Sequence, residues 1–177
     1  MHKEKEQKLI KACMRNDRAA QKALYDHYAP YMMALAIRYV GDADTAQDVV
    51  QEAFIKVFAS LHQYSAQGTF DGWVRRITVN SALEVLRSKN VFDSLDTIEV
   101  EQMPAMNATA IDKMSADELM NIIASLPAGY RTVFNMYAIE GYSHKEIAHI
   151  MGIQESSSRS QYIRAKMLIQ KKIENLI

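Results

Sequence analysis

Five side chains near the C-terminus have types and spacing suited to reading a charged, hydrogen-bonding polymer. Arg159 and Ile163 stand at i, i+4, as do Ser160 and Arg164, and Lys166 adds a further charge. Arginine can read guanine edges or bind phosphate, and serine can do either weakly. A second set lies upstream. Arg76, Asn80 and Arg87, with Glu84 between them, fall along one side of a helical wheel, and Arg75 adds charge nearby. The polar stretch just before carries Tyr64, Gln67 and Thr69. Aromatic and amide groups beside a basic helix can hold single-stranded bases by stacking and edge hydrogen bonds. A third set has another character. In "AQDVVQEAFIKVFASL", Ala46 to Leu61, the residues Ala46, Val49, Val50, Ala53, Phe54, Val57, Phe58 and Leu61 share one face at about 100° per residue, which is a core face. Asp48, Gln51, Glu52, Ile55 and Ala59 lie opposite. An ordinary solvent face would have little use for Ile55.

Each set also has a plainer reading. The C-terminal set describes an antiparallel helix pair with basic solvent residues as well as a DNA reader. The upstream set, taken alone, reads more simply as a core tryptophan with a solvated charged face. Catalysis finds less support. The five histidines are scattered, and His144 and His149 are five apart, so they point to different faces of a helix and make a poor metal pair. Each histidine reads as a surface residue. No glycine-rich phosphate loop and no nucleophile with an evident base is present in the sequence. Neither a cofactor nor a metal is expected.

The elements that must position these groups read as helices. A first helix runs from about Lys3 to Arg15, with Leu9, Ile10, Cys13 and Met14 apolar. Asp17 can cap a second helix carrying Leu24, Tyr25, Tyr28, Met32, Leu35, Ala36 and Tyr39; Pro30 is expected to kink it and Gly41 to end it. Asp44, with Gln47 three residues on, forms a capping box for the third helix. Residues 62–69 read as a loop, and a fourth helix spans about Phe70 to Lys89 with Phe70, Trp73, Val74 and Ile77 as its core stripe. Residues 91–114 show no steady period, contain Pro104, and read as a linker with room for a short helical turn. Ser115 with Glu118, and Ser143 with Glu146, make two further capping boxes. Between them Pro127 suits the first turn of a helix that Gly141 ends. Ile147, Ala148 and Ile150 form the packed side of a short helix, small Ala148 permits close approach, Gly152 permits the turn, and Ile153 anchors it. A last helix runs from about Glu155 to Leu176, with Tyr162, Ala165 and Leu168 or Ile169 turned inward. That is a helix-turn-helix layout.

The 177 residues suit one large domain or two small ones, and 49% hydrophobic residues with only six glycines and three prolines point to an all-α soluble protein. No apolar run approaches the ~18 residues of a membrane span. The charged start of the chain lacks the apolar block of a signal peptide, and the lone Cys13 has no internal partner. A reducing cytoplasm is the expected location. The net charge is zero, but it is unevenly spread. Residues 1–90 hold 13 basic and 10 acidic side chains, residues 91–118 hold 1 and 7, and residues 119–177 hold 7 and 4. Two mildly basic blocks flank an acidic connector, whose simplest reading is a solvated, flexible linker.

Together these stretches resemble the bacterial sigma factors of the extracytoplasmic-function group, over nearly the whole chain. "DVVQEAFIKVF", Asp48 to Phe58, is similar to the family pattern D-x-VQE-x-F-x-K-x-F/W. "FDGWVRRITVNSALEVLR", Phe70 to Arg87, is similar to F-x-x-W-L-x-R-I-A-x-N-x-x-x-D-x-L-R. The stretch from Leu126 to Lys166 is similar to LP-x-x-x-R-x-V-F…EGYS-x-x-E-I-A-x-x-x-GI…S…R-A-K. The resemblance implies an N-terminal four-helix sigma region 2 domain at 1–90, a flexible acidic linker at 91–114, and a C-terminal helix-turn-helix sigma region 4 domain at 115–177. It implies a promoter-specific initiation factor that binds core RNA polymerase, recognises −35 and −10 elements, helps open the duplex and then leaves. Asp48, Gln51, Glu52 and Ile55 would dock on the clamp helices of the largest polymerase subunit. Tyr64, Gln67, Thr69, Arg76, Asn80 and Arg87 would engage the −10 element, one non-template base being flipped into a loop pocket; Arg76 and Asn80 match family positions, whereas residues 64–69 match only in location. Arg159, Ser160, Ile163, Arg164 and Lys166 would face the −35 element in the major groove, beside the polymerase flap. The linker would thread toward the RNA exit region. The resemblance also implies a free monomer and makes an anti-sigma protein a further possible partner.

Two departures stand out. "ESSSRS", Glu155 to Ser160, replaces a Gly-Thr-Val-like run, so Ser158 stands where an apolar residue is usual, which puts helix packing and base readout in question. Glu84 stands where an aspartate is frequent. Two other functions compete: a stand-alone helix-turn-helix repressor, against which the docking motif counts, and a helical adaptor without a nucleic-acid role, against which the Arg76/Asn80 row and the helix-turn-helix count.

Overall fold

Asp17 starts the largest helix of the N-terminal part by accepting hydrogen bonds from Ala19 N (2.9 Å) and Ala20 N (3.1 Å) with one carboxylate oxygen. The computed structural model describes residues 3–89 and 115–176, and every regular element among them is helical. The chain forms two compact units, residues 1–85 and 86–177. The linker expected at 91–114, with its short turn, lies outside the described residues.

In the first unit, α1 (Lys3–Cys13) buries Ile10 and Cys13 against α2 (Arg18–Val40). Met14, expected on the apolar side, lies past the helix end and is 46% exposed. α2 buries Leu24, Tyr28, Met32, Leu35, Ala36 and Tyr39, while Tyr25 is half-buried, edge-on to Phe54 with ring centroids 4.8 Å apart. Pro30 sits inside α2 without ending it. Gly41, at φ 89°, ends the helix with its N–H on Ile37 O at 2.8 Å.

α3 (Ala43–Ser60) begins earlier than the sequence suggests. Its cap is Asp42, which accepts from Thr45 N at 2.7 Å; Asp44 is in the first turn and caps nothing. The left-handed Gly41 reverses the chain at once and leaves Asp42 in the extended conformation a cap requires. Asp44 instead places its charge beside the positive end of the helix dipole. The core face of α3 is buried throughout, except that Phe58 is half-buried. A 3₁₀ turn (Leu61–Gln63) leads to a loop, and Thr69 starts α4 (Phe70–Ser88) by accepting from Gly72 N at 3.1 Å. The α4 core differs from the expected stripe. Phe70 and Val74 are buried, but Trp73 and Ile77 are half-buried, and Thr78, Val79, Ser81, Ala82 and Leu83 carry the core onward. Thr78 satisfies its buried hydroxyl on Val74 O at 3.0 Å, so a polar residue packs inside without an orphaned group.

In the second unit, both reciprocal bonds of the Ser115/Glu118 capping box are made, opening α5 (Ala116–Ala124). α6 (Ala128–Phe134) follows, with Pro127 at its cap position. Arg131 is buried and donates to Ala124 O (2.6 Å) and Leu126 O (3.2 Å), tying α6 to the end of α5. The expected single helix to Glu140 instead widens into one π turn, Asn135–Ile139, before Gly141 (φ 78°). α7 (His144–Met151) opens with the Ser143/Glu146 box and ends at Gly152 (φ 70°). Its packed side is His144, Ile147, Ala148 and Met151. Ile150, expected there, is half-buried, because the i, i+4 partner of Ile147 is Met151. α8 (Glu155–Glu174) packs Ala165, Ile169 and Ile173 on Ile122, Ile123, Leu126 and Tyr130, while Leu168 and Tyr162 are only partly buried.

Candidate functional site

The outer face of α3 holds Asp48, Gln51, Glu52 and Ile55, all exposed, because the opposite face is consumed by the core. Ile55 is 64% exposed. Glu52 lies 3.9 Å from Lys56 Nζ, and that ammonium is held more closely by Glu84 Oε2 at 2.5 Å and Ser81 Oγ at 3.3 Å. The face is therefore acidic and amide-bearing, with one apolar side chain among the polar ones.

The loop before α4 is closed by its own side chains. Tyr64 donates its hydroxyl to Gly68 O at 3.1 Å and packs on Phe70 (centroids 5.2 Å) and Trp73 (5.4 Å). Burial, with Glu6 nearby, raises the Tyr64 phenol, so it stays a neutral donor. Ala66 and Gly68 take positive φ, 57° and 142°, to make the bend. Tyr64, Gln67, Thr69, Gly72, Trp73 and Arg76 line an open cavity of about 340 Å³. The cavity has an aromatic wall, an amide and a guanidinium, the groups that take a flat heteroaromatic ring by stacking and hydrogen bonding. A Cβ on Gly72 would stand 3.1 Å from Thr69 Oγ1, so the glycine leaves room for the cap at the cavity wall. The sequence marked Tyr64, Gln67, Thr69 and Arg76. It gave Trp73 to the core and passed over Gly72; the aromatic spacing Tyr64–Phe70–Trp73 was the signal available. Farther along α4, Arg76, Asn80 and Glu84 are exposed and form one row, whereas Arg87 belongs to the second unit, where its exposed guanidinium donates to Ile150 O.

On α8, Arg159 and Ile163 are exposed, and Arg159 pairs with Glu155 at 2.5 Å. Ser160 is half-buried and donates to Ser156 O at 3.0 Å. Arg164 is half-buried, and Lys166 turns its ammonium over the Tyr162 ring, 5.7 Å from the centroid. Arg159, Ile163 and Lys166 follow one side of the helix, and Ser160 with Arg164 the adjacent side. The reading of every histidine as a surface residue fails at His144. It is buried, with Nδ1 2.9 Å from Ser158 Oγ and its ring parallel to Tyr137 (centroids 4.1 Å, 10°). Ser158 is fully buried, so this polar pair fills the place where an apolar contact is usual.

Residues 24–91 match the family model for Sigma-70 region 2, and residues 116–169 match that for Sigma-70 region 4. The RNA polymerase sigma-H factor of Pseudomonas aeruginosa is 31% identical over 186 residues, covering 98% of this chain and 96% of that protein. The extracytoplasmic-function (ECF) RNA polymerase sigma-E factor of Escherichia coli is 32% identical over 184 residues, covering 97% and 96%. The chain belongs to the ECF sigma factors. In fold, this sigma factor is similar to the sigma factor RpoE of Bartonella quintana, solved in complex with the anti-sigma factor NepR (TM-score 0.54, 22% identity, 86% of this chain and 96% of that one). As a family member it is a promoter-specific transcription initiation factor whose partners are core RNA polymerase and promoter DNA. No described helix of this sigma factor is long and apolar enough to cross a membrane.

Proposed function

We propose that this sigma factor divides its work among three surfaces. Asp48, Gln51, Glu52 and Ile55 on α3 dock on the basic clamp helices of the largest polymerase subunit. The cavity of Tyr64, Gln67, Thr69 and Arg76 takes one unstacked non-template base of the −10 element, and Asn80 and Arg87 follow the strand along α4. Arg159, Ser160, Ile163, Arg164 and Lys166 on α8 enter the major groove at the −35 element, with this unit resting on the flap. Residues 1–90 and 115–177 act as the two functional domains, and the acidic linker runs between them toward the RNA exit region. The protein itself catalyses no reaction, works in the cytoplasm and is a monomer when free. By analogy with the Bartonella complex, an anti-sigma protein is its regulator.

The observation that carries this reading is Ile55, a large apolar side chain 64% exposed on an otherwise acidic and amide face whose opposite side is fully used by the core. Such a residue is suited to be the buried anchor of a partner interface. Gel filtration with bacterial core polymerase tests it. The wild type is expected to co-elute and a folded Glu52→Arg variant is not. Co-elution of that variant would remove the α3 face as the docking surface. Failure of the folded wild type to co-elute, with tight duplex binding on its own, would favour a repressor.

A further inference from the structure

We propose that the buried hydrogen bond between His144 and Ser158 sets the rotation of α8 against α7, and so decides which base edges Arg159, Ser160 and Ile163 reach. The proposal rests on the reading of this unit as the −35 reader. It makes His144 and Ser158 positioning residues, since neither is exposed to touch DNA.

His144 is the first residue of α7 and Ser158 lies in the opening turns of α8, so the bond joins the two helices near their N-terminal ends. The imidazole is not free to follow a moving partner. Tyr137 lies flat on it, with ring centroids 4.1 Å apart and planes 10° apart, and Tyr162 closes in from α8 at 5.8 Å. The direction in which Nδ1 points is therefore fixed by packing. Ser158 had a local alternative. A serine inside a helix commonly bonds the carbonyl four residues back, as Ser160 does to Ser156 O at 3.0 Å. Ser158 turns its hydroxyl across to α7 instead, at 2.9 Å.

An apolar contact in this place would be non-directional and would tolerate sliding. A hydrogen bond weakens steeply with angle and distance. A rotation of α8 by about 20° carries a side-chain tip about 5–6 Å from the helix axis through about 2 Å. That is enough to lose a base-edge hydrogen bond. Arg159 follows Ser158 directly and Ser160 stands two residues on, so both side chains move with the pinned turn.

The test uses the full chain with core polymerase, on promoters carrying a fixed −10 element and a randomised −35 element, read by run-off transcription. The variants are Ser158→Thr, which keeps the hydroxyl, Ser158→Ala, and the double change His144→Phe with Ser158→Val, which keeps an aromatic ring on Tyr137 and replaces the polar pair by an apolar contact. Thermal melts establish that each is folded. Ser158→Thr is expected to keep the wild-type −35 preference. Ser158→Ala and the double variant are expected to lower discrimination between the best −35 sequence and its single-base variants by about fivefold or more. Their transcription from a pre-opened template without a −35 element should be unchanged. Full wild-type preference in folded Ser158→Ala or in the folded double variant overturns the positioning role. A wild type with no −35 preference would overturn the −35 reading itself, and this inference with it.

Discussion

Lys56 Nζ stands 2.5 Å from Glu84 Oε2 and 3.3 Å from Ser81 Oγ, so a single ammonium joins the flank of the outer α3 face to the exposed row of α4. Glu84 is the one acid in that row, with Arg76 and Asn80, and Lys56 draws its charge away from them. Both side chains are substantially exposed, so the pair contributes at most about 1 kcal/mol to stability. Its larger effect is on the charge of the α4 row, the surface proposed above to meet DNA. Lys56→Ala is expected to leave the melting temperature nearly unchanged and to lower the fraction of promoter opened. Adding Glu84→Gln should restore opening. A deficit that persists in the double variant would mean that Lys56 acts in another way.

Ile55 separates binding from folding. At 64% exposure it adds little to the core, so Ile55→Ala should alter stability by no more than about 0.5 kcal/mol. If it is the apolar anchor of the clamp interface, the same change should weaken polymerase affinity by about 1–2 kcal/mol, roughly 5- to 30-fold. Competition binding against the wild type measures this. Equal affinities would leave the acidic and amide groups as the whole of the docking surface.

The loop cavity contains two kinds of residue, and substitution should sort them. Thr69 Oγ1 accepts from Gly72 N and caps α4, so Thr69→Ala should cost about 1 kcal/mol of stability. Gln67 is exposed on the cavity rim, and Gln67→Ala should leave stability unaltered. Both should reduce promoter opening. Only Gln67→Ala should do so by changing which base is preferred at a single −10 position. A Gln67→Ala variant with the wild-type preference at every −10 position would place base recognition elsewhere.

The helices were legible where apolar residues recur without interruption and a capping pair precedes them. The core face of α3 and the Ser115/Glu118 and Ser143/Glu146 boxes are of this kind. What the sequence hid were polar groups whose partners come from elsewhere in the chain or from a neighbouring turn. Thr78 and Ser81 look like solvent positions, but one is satisfied by Val74 O and the other by Lys56. Asp42 and Asp44 are equally good letters for a cap, and the left-handed Gly41 decides between them. Trp73 looked like core because half of it is. The exposure of Asp48, Gln51, Glu52 and Ile55 was legible because the opposite face of α3 accounts for the core, and Ile55 stood out as an apolar residue left outside it. The closure of the loop into a cavity could not, since it depends on Tyr64 folding back onto Gly68, Phe70 and Trp73.

His144 also predicts a pH dependence. Burial lowers its pKa from the usual value, Arg159 lowers it further, and Glu155 partly opposes them. Tyr137 and Tyr162 are the rings packed on it, and burial, with Tyr137 beside it, raises the Tyr162 phenol above its usual range, so that group stays neutral. In the unfolded chain the imidazole titrates near its ordinary value of about 6.5. Below that pH the unfolded state binds a proton that the folded state refuses, so stability rises with pH across the window between the two values. The contribution is complete above about pH 6.5 and is lost as pH falls through the window toward the lowered value. His144→Phe keeps a ring on Tyr137 and removes the titration, while the other histidines remain as a common background. Urea unfolding of the full chain at about pH 7.5 and about pH 5.5 should show a smaller acid loss in this variant than in the wild type. Arg159→Gln should act in the same direction, because it removes the charge that opposes protonation and frees Glu155 to favour it. Equal acid losses in the wild type and His144→Phe would mean that His144 takes up its proton in the folded protein as readily as in the unfolded one.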